Sequence, residues 1–399
     1  MRLVVACEAR FEAHPDGSIW VSGQERYAFW ERYLSVFDHV AVAARVEAVD
    51  RLDPAGARAD GEGVSLIPIP HYLGPWQYAR RYLQVRRALH AAFGPDDAIL
   101  FRLPAQIATT MAPAVWRDGR PYGAEVVGDP YDVFSPGAAT HPLRPYFRWL
   151  YTRAQTRQVE RAAAVSYVTE RALQRRYPAS EHAYATHYSD IELSDDAFID
   201  QPRRMRSADE EMRLIAVGSF AQMYKGIDVL LRAVRLCIDQ RQPVRLDIVG
   251  EGRHKPEMAR LANDLGIADN VRFLGQLPSS VAVRAELDRA DLFVMASRTE
   301  GLPRAMIEAM ARGLPCIGTT VGGIPELLPE ESMVPPDDAD ALAARILDVI
   351  RSPERRLAEG ERNLDVAHGY RADLLTARRI EFWSELRERT ANWLAGRGR

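Results

Sequence analysis

Short apolar runs rich in β-branched residues alternate with amphipathic stretches along the whole chain. Six runs in the first half predict β-strands, at residues 3–6, 40–43, 65–69, 98–101, 124–127 and 165–168. Six more predict strands in the second half, at residues 214–217, 245–249, 271–274, 292–295, 315–318 and 332–334. Strands that alternate with helices are typical of parallel βαβ units. The pattern therefore predicts two doubly wound α/β domains.

A polar segment and a helical tail suggest where these domains end. Residues 189–211 are acidic and polar with little apolar periodicity, which indicates a linker. After Pro353 the pattern is helical to the end, and the aromatic residues Phe382, Trp383 and Trp393 need a surface to pack against. We predict a first domain at 1–195, a second at 196–370, and a helical segment at 371–399 that crosses back onto the first.

Composition narrows the class of protein. The 399 residues are 47% apolar and 27% charged, as in soluble proteins, and a net charge of -3 gives no nucleic-acid footprint. The three scattered cysteines favour buried thiols in a reducing compartment. Nowhere do eighteen consecutive apolar residues occur, and the chain starts directly with a strand pattern. We expect a cytoplasmic protein.

The segment from residue 297 to 318 carries the most informative chemistry. A strand ends, Glu300 and Gly301 form a short turn, and Pro303 after Leu302 suits the first position of a helix. Exposed amides and the helix dipole make such a start an anion site, and Gly301 lets the backbone approach a diphosphate. Glu300 then suits sugar hydroxyls or a developing oxocarbenium ion, and Glu308 suits ribose hydroxyls.

For either acid alone the simpler interpretation is a helix cap for Glu300 and a solvated helix residue for Glu308. The pair, with seven residues between the acids, resembles the two-glutamate motif of the retaining glycosyltransferases of family 4, the glycosyl transferases group 1. Residues 322–326, Gly-Gly-Ile-Pro-Glu, are also similar to that family. The resemblance covers residues 212–345 in detail. It implies a GT-B architecture, two Rossmann-like domains that face a cleft, and retention of anomeric configuration.

Further loops of the second half fit the same resemblance. Lys225 lies in the glycine-bounded loop that begins at Gly218, where a lysine can neutralise a leaving diphosphate, although a lone lysine is usually solvated. Ser219 stands where many members of the family carry an arginine. The resemblance also implies that two strand-end loops face the nucleotide, with Gly250 and Gly252 in one and Gln276 and Leu277 in the other. In isolation each would be only a turn.

Two charges follow strands of the first half. Asp129 lies at a strand's carboxyl end, where open α/β sheets place ligands, so it could face the donor sugar or the acceptor. Gly128 stands where related enzymes often carry a histidine, and a turn or cap is the alternative for Asp129. Arg102 could meet an anionic acceptor phosphate or form a surface salt bridge.

No metal or resident cofactor is expected. The nearest Asp-x-Asp, at Asp338 and Asp340, precedes an apolar helical stretch and predicts a helix cap. A nicotinamide-dependent oxidoreductase is disfavoured because no G-x-G-x-x-G follows the first strand, where Glu8 and its neighbours stand. The nucleotide diphosphate sugar would be a co-substrate.

Two stretches, residues 71–93 and 141–177, combine aromatics with many arginines. Such helices could rest on the inner leaflet of a membrane, or pack their aromatics into a core and solvate their arginines. We expect a hexosyltransferase that acts on a saccharide or lipid-linked acceptor in cell-surface polysaccharide or glycoconjugate synthesis. A non-catalytic nucleotide-sugar-binding module and a GT-B-like sugar-nucleotide epimerase are the alternatives.

Overall fold

The computed structural model of the chain describes residues 1–51, 53, 56–135, 141–191, 193–200, 203, 206–207 and 210–397. Residue contacts group the chain into two compact units. The first unit consists of Met1–Pro130, Trp149–Tyr188 and Thr376–Arg399, and the second of Tyr131–Arg148 and Ser189–Leu375. The predicted linker falls partly outside the described residues, and the predicted domain boundaries stay predictions.

Up to residue 188, the described part of the chain forms nine strands. They are β1 Arg2–Ala13, β2 Ile19–Val21, β3 His39–Ala48, β4 Ala57–Arg58, β5 Val64–Pro70, β6 Ala98–Leu103, β7 Gly123–Val126, β8 Ala164–Tyr167 and β9 Tyr184–His187. The helices in the same part of the chain are α1 Tyr27–Glu31, α2 Gly74–Ala91, α3 Gln106–Arg117, α4 Pro130–Val133, α5 Arg144–Glu160 and α6 Ala172–Arg176.

The described residues that follow form six further strands: β10 Met212–Val217, β11 Val244–Val249, β12 Val271–Gly275, β13 Leu292–Val294, β14 Cys316–Thr319 and β15 Met333–Val334. The helices of this part are α7 Ile227–Asp239, α8 Lys255–Asp264, α9 Ser280–Arg289, α10 Arg304–Ala311, α11 Ile324–Leu327, α12 Ala339–Ile350, α13 Pro353–His368 and α14 Ala372–Arg397. The predicted helical tail is confirmed, with a break between α13 and α14.

Both sheets follow the same winding rule. In the first, the parallel strands run β5-β3-β1-β6-β7-β8-β9, and short β2 joins β1 and β4 antiparallel. In the second, all strands are parallel in the order β12-β11-β10-β13-β14-β15. With the parallel strands of each sheet numbered along the chain, both sheets contain the doubly wound order 3-2-1-4-5-6. The direction in which successive strands are added reverses between strands 1 and 4, and we call this place the reversal point. The predicted fold class is confirmed, and all twelve predicted strands are present.

Apolar stripes explain why the helices cover these sheets. In α7, Ile227, Leu230, Leu231 and Val234 are buried, and their spacing of three and four residues places them on one helix face. The last helix, α14, also buries apolar side chains, Phe382, Trp383 and Leu386, and its residues from Thr376 onward belong to the first unit. The predicted return of this helix to the first domain is thereby confirmed.

Candidate active site

A lysine and a glutamate meet at the point where the second sheet reverses its winding. β10 and β13 are neighbours there, and the loops after their carboxyl ends carry Lys225 and Glu300. The Lys225 Nζ lies 2.6 Å from the Glu300 Oε1, and the two side chains are only 16% and 8% exposed. Ligands of open α/β sheets bind at this reversal point, beyond the carboxyl ends of the strands. The pair is therefore positioned where the fold itself favours a ligand.

Ser297 fixes the carboxylate of Glu300. Its hydroxyl is fully buried and donates to the Glu300 Oε1 at 2.6 Å, while Thr319 donates to the Ser297 carbonyl at 2.6 Å. Sequence reasoning assigned no role to Ser297. The signal available was a hydroxyl residue three positions before Glu300, directly after a buried strand. Glu300 thus receives two donors on one oxygen, which orients its carboxylate.

The start of α10 differs by one residue from the prediction. Pro303 is the N-cap residue and Arg304 is the first helical residue, so the expectation that Pro303 opens the helix was wrong. The φ of Pro303, -77°, suits a helix, but its ψ of 99° is extended, and this places it outside α10. Among the described residues, the Glu300 carboxylate accepts from Lys225 and Ser297 rather than from an amide of α10, so Glu300 does not act as its cap. Gly301 and Leu302 form the turn that connects Glu300 to the helix.

Glycines allow the loops of the site to touch. Gly226 has a φ of 64°, and a Cβ there would overlap the carbonyl oxygen of Ala296. Gly322 has a φ of 56°, and a Cβ there would overlap the carbonyl oxygen of Glu300. A Cβ on Gly218 would come within 3.1 Å of the Lys225 side chain. Since L-residues avoid positive φ, Gly226 and Gly322 require glycine for both space and conformation, whereas at Gly218 only space is limited.

The predicted nucleotide-facing loops lie at the same edge of the sheet. Gly250, with a φ of 148°, packs so closely that a Cβ would overlap the Gly218 carbonyl, and its amide donates to the Gly275 carbonyl at 2.9 Å. Gly252 packs equally closely against Phe220 and Ala221. Gln276, which is exposed, and Leu277 follow β12 directly. The structure thus brings the ends of β10, β11 and β12 together.

Glu308 is held in a partly dehydrated position on α10. Burial raises its pKa above the ordinary value, and the charges of Arg304 and Arg284 oppose this shift. Among the described residues, no side chain or amide donates a hydrogen bond to its carboxylate. A partly buried acid without a protein donor is available to accept hydrogen bonds from a ligand.

Ser219 stands where many members of the family carry an arginine, and Arg253 and Arg298 are the candidates to supply that charge. Ser219 is exposed, and its hydroxyl accepts from the Ala221 amide at 3.1 Å. Arg298 does not supply this charge, because its guanidinium already donates to Asp228 at 2.9 and 2.8 Å and to Asp337 at 2.6 Å. Arg253 is exposed and donates to the His254 ring at 3.1 Å, so its charge is the more accessible of the two.

The predicted charges of the first unit lie in internal pairs. Arg102 is 11% exposed and donates to the Glu125 carboxylate at 2.9 Å. Asp129 is buried, accepts from the Tyr177 hydroxyl at 2.6 Å, and pairs with Arg176. These protein partners account for both charges without a substrate. The roles of Arg102 and Asp129 toward acceptor or donor stay predictions.

A different acid occupies the reversal point of the first sheet. The pairing of β1 with β3 shifts register between Ala6 and Arg10, and this irregular stretch contains Glu8. The Glu8 Oε2 accepts from the amide of Gln106 at 2.8 Å, at the start of α3, while Arg45 lies 3.0 Å from its other oxygen. Glu8 remains about one third exposed. In the sequence, Glu8 stands out only as part of a segment that lacks a dinucleotide fingerprint.

Three smaller expectations can also be compared with the structure. Asp338 caps α12 by accepting from the Ala341 amide at 2.8 Å, so the predicted cap is confirmed. The three cysteines are buried free thiols, as predicted. Among the described residues, no helix is both long and apolar enough to cross a membrane, and no group of three or more His, Cys, Asp or Glu side chains could hold a metal ion.

Comparisons with known proteins place this geometry in a family. Residues 211–352 match the model of the glycosyl transferases group 1. Protein CapJ of Staphylococcus aureus is 25% identical over 85% of both chains. A GDP-mannose-dependent monoacylated α-(1-6)-phosphatidylinositol monomannoside mannosyltransferase of Corynebacterium glutamicum is 36% identical over 37% of this chain and 40% of its own. A putative colanic acid biosynthesis glycosyltransferase, WcaL of Escherichia coli, is 34% identical over 36% and 37%.

Solved structures share the fold over nearly the whole length. A sucrose-phosphate synthase from Thermosynechococcus elongatus superposes with a TM-score of 0.69, at 20% identity, over 97% of this chain and 99% of its own. HepE of Anabaena, solved with UDP and glucose, gives a TM-score of 0.66 at 16% identity over 96% and 98%. Residues 211–352 therefore belong to the group 1 glycosyltransferases, and the chain as a whole has the GT-B fold.

Proposed function

We propose that this glycosyltransferase moves a hexose from a nucleoside diphosphate sugar to a saccharide or lipid-linked acceptor, with retention of configuration and without a metal ion or resident cofactor. The observation that carries the proposal is the Lys225–Glu300 pair, 2.6 Å apart at the reversal point of the second sheet. The pair joins a phosphate-binding cation to a hydroxyl-binding anion. A nucleoside diphosphate sugar presents a diphosphate and sugar hydroxyls side by side.

Lys225 is the residue that we assign to the diphosphate. The chain has 52 basic residues, and only two of them, Lys225 and Lys255, are lysines. A chain that otherwise uses arginine for positive charge therefore has a lysine at this position. A lysine ammonium is a compact point charge, suited to the negative charge that grows on a leaving phosphate. The positive end of α10 adds to it, with Gly301, Leu302 and Pro303 at the approach to the helix.

The two glutamates bind hydroxyl groups in this proposal. Glu300, oriented by Ser297 and Lys225, accepts from the donor sugar and faces the positive charge of the oxocarbenium-like transition state. Glu308, whose carboxylate has no described protein donor, accepts from the ribose. The nucleotide lies along the loops of Gly218, Ser219, Gly250, Gly252, Gln276 and Leu277.

The chemical step follows the resemblance to the family. The bond between the anomeric carbon and the donor phosphate oxygen breaks, and the acceptor hydroxyl bonds to the same face of the sugar. Its proton passes to the departing phosphate oxygen, so nucleoside diphosphate leaves as the product. This front-face route needs no protein nucleophile, and exclusion of water protects the reacting carbon.

For the acceptor we propose the carboxyl edge of the first sheet, at Glu8. Glu8 lies at the reversal point, is partly exposed, and is surrounded by hydroxyl and amide groups. Tyr72 and Tyr78 pack with ring centroids 5.2 Å apart beside it. A carboxylate with tyrosine rings suits a sugar better than an anionic phosphate, which Glu8 would repel.

A lipid-linked acceptor would require the protein to contact a membrane surface. We place this contact on α2, against the inner leaflet. Trp76 and Leu83 of α2 are 77% and 72% exposed, and four arginines of the same helix, Arg80, Arg81, Arg86 and Arg87, are exposed with them. Apolar side chains among arginines favour binding to anionic lipid. Trp76→Ser with Leu83→Ser should lower co-sedimentation with phosphatidylglycerol vesicles, and an unchanged bound fraction would count against this contact.

The transferase proposal is tested by a donor screen on the full chain in buffer containing EDTA. Ligand-detected NMR against uridine, guanosine and other nucleoside diphosphate sugars should show one preferred donor. Lys225→Ala and Glu300→Gln should each weaken its binding, whereas Arg232→Ala, an exposed arginine on α7, should not. Binding that needs added metal, or that ignores both site substitutions, would contradict the proposal.

Product analysis separates the remaining alternatives. Incubation with the preferred donor and a saccharide acceptor should give nucleoside diphosphate and a glycosylated acceptor in equal amounts. An altered sugar released without any acceptor would instead identify an epimerase. Donor binding without any product would identify a non-catalytic nucleotide-sugar-binding module.

A further inference from the structure

A cavity of about 550 Å³ lies at the edge of the first sheet opposite to Glu8. Residues 119–122 line it just before β7 begins, and Ala163 lines it just before β8 begins, so it opens at the amino ends of parallel strands. α14 contributes Arg389, Asn392 and Trp393 to the lining, and Trp116 and Arg161 complete it. Ligands of doubly wound sheets bind at the carboxyl ends, so this cavity is separate from the acceptor position proposed above.

The cavity is positively charged. Arg120, Arg161 and Arg389 line it, and none of the described lining residues is acidic. Arg120 is a fixed charge, since the carbonyls of Gly94, Pro95 and Asp97 hold its buried guanidinium at 2.8–2.9 Å. Nearby acids partly offset this charge: Asp118, Asp97 and Asp96 interact with Arg120, and Glu385 pairs with Arg389.

Several polar groups of the cavity have unused hydrogen-bonding capacity. The Arg120 Nε is buried without a partner. The exposed guanidinium of Arg161 lies over the Trp116 ring at 4.5 Å, and no described residue accepts a hydrogen bond from it. The exposed Asn392 amide likewise has no described partner. A guanidinium fork with free donors is the group best suited to bind a phosphate.

Aromatic rings complete the walls. Trp393 of α14 lies 5.0 Å from the Arg120 guanidinium, and Trp116 stands at the end of α3. Guanidinium groups already lie over both indoles, Arg161 over Trp116 and Arg120 and Arg397 over Trp393, so a planar or sugar ring would lie against the indole area that they leave uncovered. The volume lies within the usual range of small-molecule sites, roughly 300–1,000 Å³.

We propose that this cavity binds a ring-bearing organic phosphate, whose phosphate takes the donors of Arg161 and Asn392 and whose ring lies against the tryptophans. Nucleotides and sugar phosphates share this chemistry. The bound molecule bridges α14 and the amino edge of the sheet, so it stabilises the first unit by mass action. The site does not depend on the transferase proposal, since none of its residues belongs to the donor or acceptor positions.

The test uses isothermal titration of the full chain carrying Lys225→Ala, which weakens the donor position. Its probes are UMP, GMP, glucose 1-phosphate and inorganic phosphate. One of the ring-bearing phosphates should bind and quench tryptophan fluorescence. The double variant Arg161→Gln, Asn392→Ala should raise its Kd at least about tenfold. Arg157→Gln, an exposed arginine one turn earlier on α5, is the matched control and should change the Kd less than about twofold.

The preferred probe distinguishes a nucleotide from a sugar phosphate as the source. Failure of every probe to bind at millimolar concentration would overturn the proposal, as would a Kd unchanged in the double variant. Inorganic phosphate that binds as tightly as the best ring-bearing probe would also overturn it. Because Arg161 and Asn392 are exposed, the variants should fold, and an unchanged unfolding temperature without ligand checks this.

Discussion

The two sheets have the same winding order, yet they use the charges at their strand ends differently. In the second unit, Lys225 and Glu300 face each other across the reversal point, from loops separated by 75 residues. In the first unit, Arg102 lies against Glu125 of the neighbouring strand, and Asp129 is taken by Arg176 and Tyr177. The first pair spans the point at which open α/β sheets bind ligands, whereas the other charges link neighbouring elements within the first unit.

The difference teaches that a charge at a strand end does not by itself indicate a site. What matters is whether the partner lies on an adjacent buried strand or across the reversal point, where the gap between crossovers leaves room for a ligand. Glu8, at the reversal point of the first sheet, has partners of both kinds, since Arg45 lies on the adjacent strand β3 and the Gln106 amide lies across the reversal point. Four substitutions would break or sharpen the comparison.

The largest effect is expected from Glu125→Ala. Glu125 is 2% exposed and accepts from Tyr33, Tyr188, Arg102 and Trp383 at 2.8–3.2 Å. Removal leaves a buried guanidinium without its partner, so the free energy of unfolding should fall by about 3–5 kcal/mol. Urea denaturation followed by tryptophan fluorescence measures this. Glu62→Ala, at an exposed position, is the control. If Glu125→Ala lowers the free energy of unfolding by less than about 1 kcal/mol, the pairing of Arg102 with Glu125 does not stabilise the fold.

Gly226→Ala should damage the second unit by a backbone clash. The added Cβ would overlap the Ala296 carbonyl at a φ of 64°, so we expect a loss of about 2–4 kcal/mol and weaker donor binding. Gly74→Ala has nearly the same φ, 69°, with no neighbour within 4 Å of the new Cβ. The difference between the two variants therefore isolates the clash, and equal losses would show that conformational strain alone matters.

Glu308 gives a pH-dependent effect. Burial raises its pKa above the ordinary 4.5, so its protonated form favours the folded state at acid pH, and this stabilisation is lost as pH rises through the raised pKa. Donor hydroxyls bind the ionised form, so donor affinity should rise with pH over the same range. Glu308→Gln should flatten this dependence and weaken binding about tenfold. An unchanged pH profile would remove Glu308 from the donor site, and exposed Glu331→Gln is the control.

The smallest effect is expected from Ser297→Ala. Loss of one buried hydrogen bond to Glu300 should reduce turnover about fivefold, through the orientation of the carboxylate and with little change in donor Kd. Thr319→Val removes a hydrogen bond of the same length one step away, to the Ser297 carbonyl. It should lower stability without the loss of turnover. Equal turnover in both variants would mean that Ser297 is merely structural.

Sequence patterns were sufficient for the sheets but not for the side-chain partners. Long buried runs identify strands in any register, so every predicted strand appears. The strands β2, β4 and β9 lie mostly outside the core, with Val21 as their one buried residue, so buried apolar runs do not mark them. The pairing of Arg102 with Glu125 follows from the register of β6 on β7, which places the two opposite each other. Register is a property of the folded sheet, and no local pattern around Arg102 contains it.

The same limit explains why Glu8 and Ser297 were missed. Glu8 reaches the start of α3 because the ladder of β1 is irregular between Ala6 and Arg10, and such an irregularity re-aims side chains. Glu300 and Lys225 could be named as candidates because the first belongs to a two-glutamate motif of fixed spacing and the second to a glycine-bounded loop. Their direct contact with each other became visible only in the structure.

Because the chain contains only two lysines, Lys225 in the candidate site can be observed selectively by NMR. Reductive methylation with carbon-13 formaldehyde would label two side chains, Lys225 and Lys255, besides the terminal amine of Met1, which pairs with Asp38. One of the two lysine signals therefore arises inside the candidate site, where the ammonium touches Glu300, and the other arises on α8. Titration of the unlabelled donor would shift the first signal as Lys225 exchanges a carboxylate for a phosphate. Partner exchange at a single nitrogen could then be followed without crystals.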